Sequence, residues 1–82
     1  MTATKQDIIA WVNRAKESKA THLIVAVDSY DFDNYPVYVT ADEDIKEEVE
    51  RVESGSMQGI DEVYNMSMDI DEQLNEYRAY HI

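Results

Sequence analysis

Hydrophobic residues recur with a helical period near the start of the chain. Residues 4–7 (TKQD) have the spacing of a capping box, with Asp where Glu or Gln is more common. The apolar positions that follow at i, i+3, i+4 and i+7 are Ile8, Trp11, Val12 and Ala15. This pattern predicts an amphipathic helix that ends near Ser18.

Two short apolar segments then predict a β-hairpin. Residues 22–27 (HLIVAV) form an unbroken, largely β-branched run, which is typical of a buried central strand. Residues 35–39 (YPVYV) alternate and predict a second, antiparallel strand after a polar turn at 28–34. Pro36 cannot donate a ladder hydrogen bond, so we expect this strand to begin at an edge of the sheet.

A second helix is predicted after the hairpin. Residues 40–43 (TADE) match a capping box, and Ser54 with Gly55 supplies a stop signal. Between these signals the apolar residues at i, i+4 and i+7 are Ile45, Val49 and Val52. The helix therefore has a narrow apolar seam, and most of its other positions are charged.

The segment 57–66 fits both a strand and a helix. On a strand, one face would carry Ile60, Tyr64, Met66 and Met68; on a helix, Met57, Ile60 and Tyr64 would align. Val63 and Tyr64 are typical strand residues, and helix-start chemistry arrives only at Asp69. These two features favour a short strand near 61–66.

A last helix is predicted from residues 69–72 (DIDE) onward, with Ile70, Leu74 and Tyr77 facing inward. The chain ends in an apolar tail, which we expect to dock against the body. The predicted order is α-β-β-α-β-α. Residues 1–82 are therefore expected to form a single α+β domain, in which a three-stranded sheet with an antiparallel hairpin carries helices packed on one face.

Charge is the strongest compositional signal. The formal net charge is −11, yet residues 1–20 carry a net charge of +2. Residues 28–76 contain sixteen acidic residues against Lys46 and Arg51 only. Such a surface repels nucleic acid and anionic membranes and attracts basic protein surfaces, so direct nucleic-acid binding and membrane binding are not expected.

Other compositional features narrow the function classes. Cysteine is absent, which excludes disulfides and thiolate zinc sites, and no apolar run approaches the roughly 20 residues of a membrane span. No signal-peptide pattern opens the chain, so we expect a cytoplasmic location. His22 and His81 belong to no metal or catalytic motif, and Gly55 and Gly59 form no phosphate loop. These absences favour a protein that is not an enzyme and that holds no cofactor or metal.

The hairpin turn, VDSYDFDNYPVYV (27–39), sets three aspartates among four aromatic rings. A calcium loop fails because Pro36 would stand at the glycine position that an EF-hand requires. Two interpretations of the aromatic side chains stay open. They could pack across the hairpin, as in any sheet, or they could recognise a basic protein surface together with the aspartates.

The second predicted helix adds a dense acidic segment. From Asp42 to Glu53 it carries one carboxylate per roughly 2.6 Å of helix, against one charge per about 1.7 Å of duplex DNA. A face that mimics DNA is therefore one interpretation, and a merely solvated face is the other. The candidate partner-binding residues are Tyr30, Asp31 and Asp33 at the hairpin tip, with Glu43, Glu47, Glu48 and Glu50 on the helix.

The segments THLIVAVDSYDFDNYPVYV (21–39) and EVYNMSMDIDEQLNEYRAYH (62–81) resemble a family of small acidic proteins of tailed bacteriophages and prophages. The most specific parts of the resemblance are YPVYV and EQLNEYRAYH. It implies synthesis inside a bacterial host cell. It implies no activity, substrate or catalytic residue.

Two hypotheses of function follow. In the first, the chain engages a basic surface of a host or phage protein and inhibits a nucleic-acid-binding or defence protein by occupying its nucleic-acid site. In the second, it is a structural or assembly module that forms a homo-oligomer, such as a homodimer. Its acidic surface then only keeps it soluble.

Overall fold

The chain folds as three helices and a three-stranded sheet. In the computed structural model, which describes residues 3–82, the elements are α1 (Lys5–Glu17), β1 (His22–Asp28), β2 (Asp33–Val39), α2 (Ile45–Ser54), β3 (Gln58–Asn65) and α3 (Ile70–Leu74). The α+β class and the predicted order are confirmed, and the ambiguous segment at 57–66 is mostly strand.

The sheet has the order β2-β1-β3, and β1 is antiparallel to both neighbours. At one end of the sheet His22 pairs with Val39 and Asn65; at the other, Asp28 pairs with Asp33 and Gln58. The prediction that HLIVAV forms the central strand is confirmed, because residues 23–26 are fully buried.

Helices cover both faces of the sheet, so the prediction of helices on one face is wrong. Leu23 and Val25 pack with α1 and α3 in one core, whereas Ile24 and Ala26 pack with α2 in the other. An unbroken apolar strand has two apolar faces, since successive side chains alternate between them. Each face therefore needs its own cover, and the chain supplies α1 with α3 for one and α2 for the other.

The second helix begins later than its predicted capping box. Thr40 and Glu43 do form reciprocal bonds: the Thr40 N–H donates to Glu43 Oε1 (3.0 Å), and the Glu43 N–H donates to the Thr40 carbonyl (3.0 Å). These bonds close a separate turn. The helix N-cap is Asp44, whose Oδ1 accepts from the N–H groups of Lys46 (2.8 Å) and Glu47 (3.4 Å).

A β-bulge in β3 changes which side chains share a face. Val25 pairs with Glu62 but Ala26 pairs with Ile60, so Asp61 is an extra residue in the ladder. As a result Ile60 packs in the α2-side core and Tyr64 in the α1-side core. The prediction that these two residues lie on one strand face is therefore wrong.

The C-terminal segment covers the outer edge of β3. Gln73, which is 1 % exposed, donates from Nε2 to the Asn65 carbonyl (2.9 Å) and accepts at Oε1 from the Asn65 N–H (2.7 Å). Further along, Val63 donates to the Ala79 carbonyl (3.0 Å) and accepts from the His81 N–H (3.0 Å). The predicted docking of the tail is confirmed. Tyr77, predicted to face inward, is fully exposed because α3 ends at Leu74.

Candidate protein-binding surface

The hairpin tip is a compact loop, Ser29–Phe32, held by its own aspartates. The Phe32 N–H donates to the Asp28 carbonyl (2.6 Å) and closes the loop. Asp28 Oδ1 accepts from the Tyr30 N–H (2.9 Å), and Asp31 Oδ1 accepts from the Asp33 N–H (3.1 Å). These side-chain bonds are ordinary turn chemistry, and they fix the carboxylates at the end of the sheet.

The aromatic side chains of the hairpin divide into two pairs. Tyr35 and Tyr38 are half-buried and pack in opposite cores of the sheet. Tyr30 and Phe32, in contrast, are 78 % and 65 % exposed. Cross-strand packing therefore explains the first pair, and the second pair projects into solvent at the tip.

Sequence reasoning missed a third exposed apolar residue at this end of the sheet. The Ser29 N–H donates to the Met57 carbonyl (2.8 Å), which ties the hairpin tip to the loop before β3. The Met57 side chain is 51 % exposed. Only the pairing of β1 with β3 brings the two loops together, so no local signal could have found it. We call Tyr30, Phe32 and Met57 the tip patch.

The acidic residues predicted on the second helix lie in three different environments. Glu47 and Glu50 are exposed on the outer side of α2. Glu48 is folded against the body, with a side chain 13 % exposed and an ion pair to Arg51. Glu43 lies in the turn before the helix, where hydrogen bonds from the backbone and hydroxyl of Thr40 lower the pKa of its carboxyl.

The structure does not bring all seven predicted residues into one patch. Tyr30, Asp31 and Asp33 lie at the turn between β1 and β2, whereas Glu43 lies beyond the other end of β2. Strands of this length separate the two ends by roughly 20 Å. Glu47 and Glu50 lie between these ends on α2, whose last turn leads into the Met57 loop. The residues follow one side of the molecule without forming a single cluster.

Charge differs between α1 and α2. The α1 segment carries Lys5, Arg14, Lys16 and Lys19 against two acidic residues, whereas 42–53 carries seven acidic residues against two basic ones. The α1 segment and α2 lie on opposite faces of the sheet. Because α3 shares the face of α1 and its segment 69–76 adds four acidic residues, that face is close to neutral, whereas the α2 face is acidic. Between residues 3 and 82, ion pairs join only Arg51 to Glu48 and His81 to Glu76. Among these described residues, Arg51 is thus the one ion-pair partner of the α2 glutamates.

The other end of the sheet holds a shallow cavity of about 390 Å³, lined by Ala20, Thr21, His22, Asn65, Met66 and Ser67. His22 Nδ1 lies 3.0 Å from Thr21 Oγ1, and its Nε2 is buried without a partner among the described residues. Burial lowers the pKa of this imidazole, which favours the neutral ring. The described residues that line the cavity include no carboxylate.

Within residues 3–82, no three His, Asp or Glu side chains converge on a point that could hold a metal ion. In the same range, none of the helices has the length and apolarity that a membrane crossing requires.

Comparisons with protein-family models, with curated proteins and with solved structures found no match to this chain.

Proposed function

We propose that this chain is a small non-enzymatic binding protein that engages a basic surface on another protein. Its proposed role is inhibition of a bacterial host nucleic-acid-binding or defence protein by occupying the site where nucleic acid binds, in a phage or prophage setting. The observation that supports it is the acidic charge of α2: this helix covers one face of the sheet by itself, and among residues 3–82 only Arg51 forms an ion pair with its glutamates.

The exposed carboxylates of α2 suit a cationic partner. Glu47 and Glu50 lie on the outer side of the helix, where Lys or Arg side chains can reach them without displacing an internal bond. Such contacts at the rim of an interface accelerate association and weaken as salt rises, because salt screens exposed charges beyond about 8–10 Å. The proposal therefore predicts rapid, salt-sensitive binding.

The spacing of the glutamates along α2 can be compared with the spacing of phosphates in nucleic acid. Three glutamates of the ten-residue helix are exposed, Glu47, Glu50 and Glu53, which is one per roughly 5 Å of its length. This spacing is wider than the roughly 3.4 Å between phosphates along one DNA strand and much wider than the charge spacing of a duplex. A binding site that follows a single phosphate backbone is therefore the best match to α2.

The proposal is tested by affinity capture from a bacterial lysate at low and high salt, with the captured protein identified and its binding quantified. Glu47→Gln with Glu50→Gln should weaken binding by about tenfold at low salt. The matched control removes the same charge elsewhere, by Glu17→Gln with Glu72→Gln, and should change binding less. The captured protein should also lose nucleic-acid binding when this chain is added. Capture that is equal at both salt concentrations would refute the proposal.

A second candidate function is assembly into a homo-oligomer. It is favoured by the difference between the two edges of the sheet. The C-terminal segment covers the β3 edge, whereas no strand among residues 3–82 pairs with the outer edge of β2. An open edge can pair with the same edge of a second copy, although Pro36 interrupts its donors. Light scattering decides between the candidates, since an assembly module must exceed the mass of one 9.5 kDa chain.

A further inference from the structure

We infer that the tip patch binds an apolar side chain of a cationic, amphipathic segment in the partner protein. The inference rests on the proposed function for the positive charge of that partner, and it adds a second requirement. The partner segment must present a large apolar residue next to its Lys or Arg residues, so charge alone would not give full affinity.

The first support is the exposure of three large apolar side chains at one end of the sheet. Tyr30, Phe32 and Met57 come from two different loops, and the Ser29–Met57 hydrogen bond holds those loops together. Scattered apolar residues on a surface need no explanation, but neighbouring ones at a fixed position mark interaction sites. A single apolar side chain from a partner could contact both loops at once.

The second support is the backbone conformation at two of these residues. Phe32 and Met57 both have φ of 60°, in the left-handed region that Gly and Asn adopt at much lower cost than other residues. Each position therefore carries a large apolar side chain in an unfavourable backbone conformation and in contact with water. Neither position gains much from burial in its own fold, which is consistent with a side chain used for binding another molecule.

The third support is the charge around the patch. Asp31 is exposed within the tip, and Glu53 is exposed in the last turn of α2, just before the Met57 loop. A second copy of this chain would bring further negative charge to this acidic end, so self-association through the patch is disfavoured. A cationic segment, in contrast, can place its apolar residue on the patch, its cations near the carboxylates, and one cation over the exposed Tyr30 ring.

The inference is tested with two synthetic peptides of equal length and equal charge. One combines Lys with Leu at helical spacing, and the other has Ser in place of every Leu. The chain of residues 1–82 should bind the Lys/Leu peptide about tenfold more tightly, since one Leu side chain buried on the patch is worth about that factor. Titrations are carried out at low salt by calorimetry.

Phe32→Asn with Met57→Asn removes two of the three apolar side chains of the tip patch and leaves the charge unchanged. Asn tolerates positive φ, so this variant should fold, which circular dichroism checks. Its preference for the Lys/Leu peptide should fall to about twofold or less, while binding of the Lys/Ser peptide should stay unchanged. The matched control Tyr77→Asn removes an exposed aromatic side chain outside the patch and should keep the tenfold preference.

The outcomes separate this inference from the proposed function. If the unmodified chain binds both peptides equally, the inference is refuted and the proposed attraction to basic partners stands. If neither peptide binds, both are refuted. If the Asn variant keeps the preference, or if light scattering shows that it converts a dimer into a monomer, the patch does not bind a cationic segment of a partner.

Discussion

The side chain of Gln73 should be a main stabilising element of the fold, although it belongs to the shortest helix. It is 1 % exposed and makes three hydrogen bonds to backbone groups, two with Asn65 and one with the Asp69 carbonyl (3.1 Å). In effect its amide replaces one residue of a fourth strand at the β3 edge. Gln73→Ala removes all three bonds and leaves the Asn65 N–H without the partner it has in the fold, whereas the Asn65 carbonyl keeps its bond from the Met68 N–H (3.2 Å).

The magnitude follows from the cost of unsatisfied polar groups. Each buried donor or acceptor left without a partner costs about 1–3 kcal/mol. Because Asn65 is only half-buried, water can reach part of the gap, so we expect a loss of about 1–2 kcal/mol in the free energy of unfolding. A domain of this size has a total of roughly 4–12 kcal/mol. The expected decrease in Tm is about 5–15 °C.

Urea unfolding followed by circular dichroism measures this change, with Gln6→Ala on the exposed side of α1 as the control. The control should stay within about 0.5 kcal/mol of the unmodified chain. A loss below about 1 kcal/mol for Gln73→Ala would contradict the assigned hydrogen bonds.

The isosteric variant Gln73→Glu adds a test in which the direction of the pH dependence of stability is predicted. The variant keeps an acceptor for the Asn65 N–H but places a carboxylate against two carbonyls. The pKa of the introduced carboxyl in the folded state should therefore rise above its value in the unfolded state. Stability is then retained at pH values below the unfolded pKa of about 4.3 and lost as pH rises through the folded pKa. Relative to the unmodified chain, Gln73→Glu should therefore be less destabilised at acidic pH than at neutral pH. A difference that does not change with pH would refute this reasoning.

Two further predictions concern Tyr64 and Asp44. Burial, together with the hydrogen bond to Glu62 Oε1 (2.9 Å), raises the pKa of the Tyr64 hydroxyl, so stability should fall as pH rises above the unfolded value of about 10. Urea unfolding should show a smaller decline for Tyr64→Phe. Asp44→Ala removes the N-cap of α2 and should cost about 1 kcal/mol in urea unfolding; a larger effect of Thr40→Ala would mean that the helix begins earlier.

Much of the fold could be predicted because its signals are local. The stripe from Ile8 to Ala15, the unbroken strand at 22–27 and the DIDE helix start each correspond to an observed element. The errors come from contacts between distant segments. The β3 bulge at Asp61 reverses the expected alternation, and Gln73 looks like a solvent-facing residue until the β3 edge lies beside it.

The candidate surface was harder to predict than the fold for the same reason. A sequence shows that 42–53 is acidic and that 1–20 is basic, but only the assignment of each helix to a sheet face separates the two charges in space. Had α1 and α2 packed side by side on one face, Arg14 and Lys16 could have neutralised Glu47 and Glu50, and little net field would have remained. The two-faced central strand prevents that arrangement. The unbroken apolar run of β1 therefore also keeps the cations of α1 away from the glutamates of α2, on which the proposed attraction of a cationic partner depends.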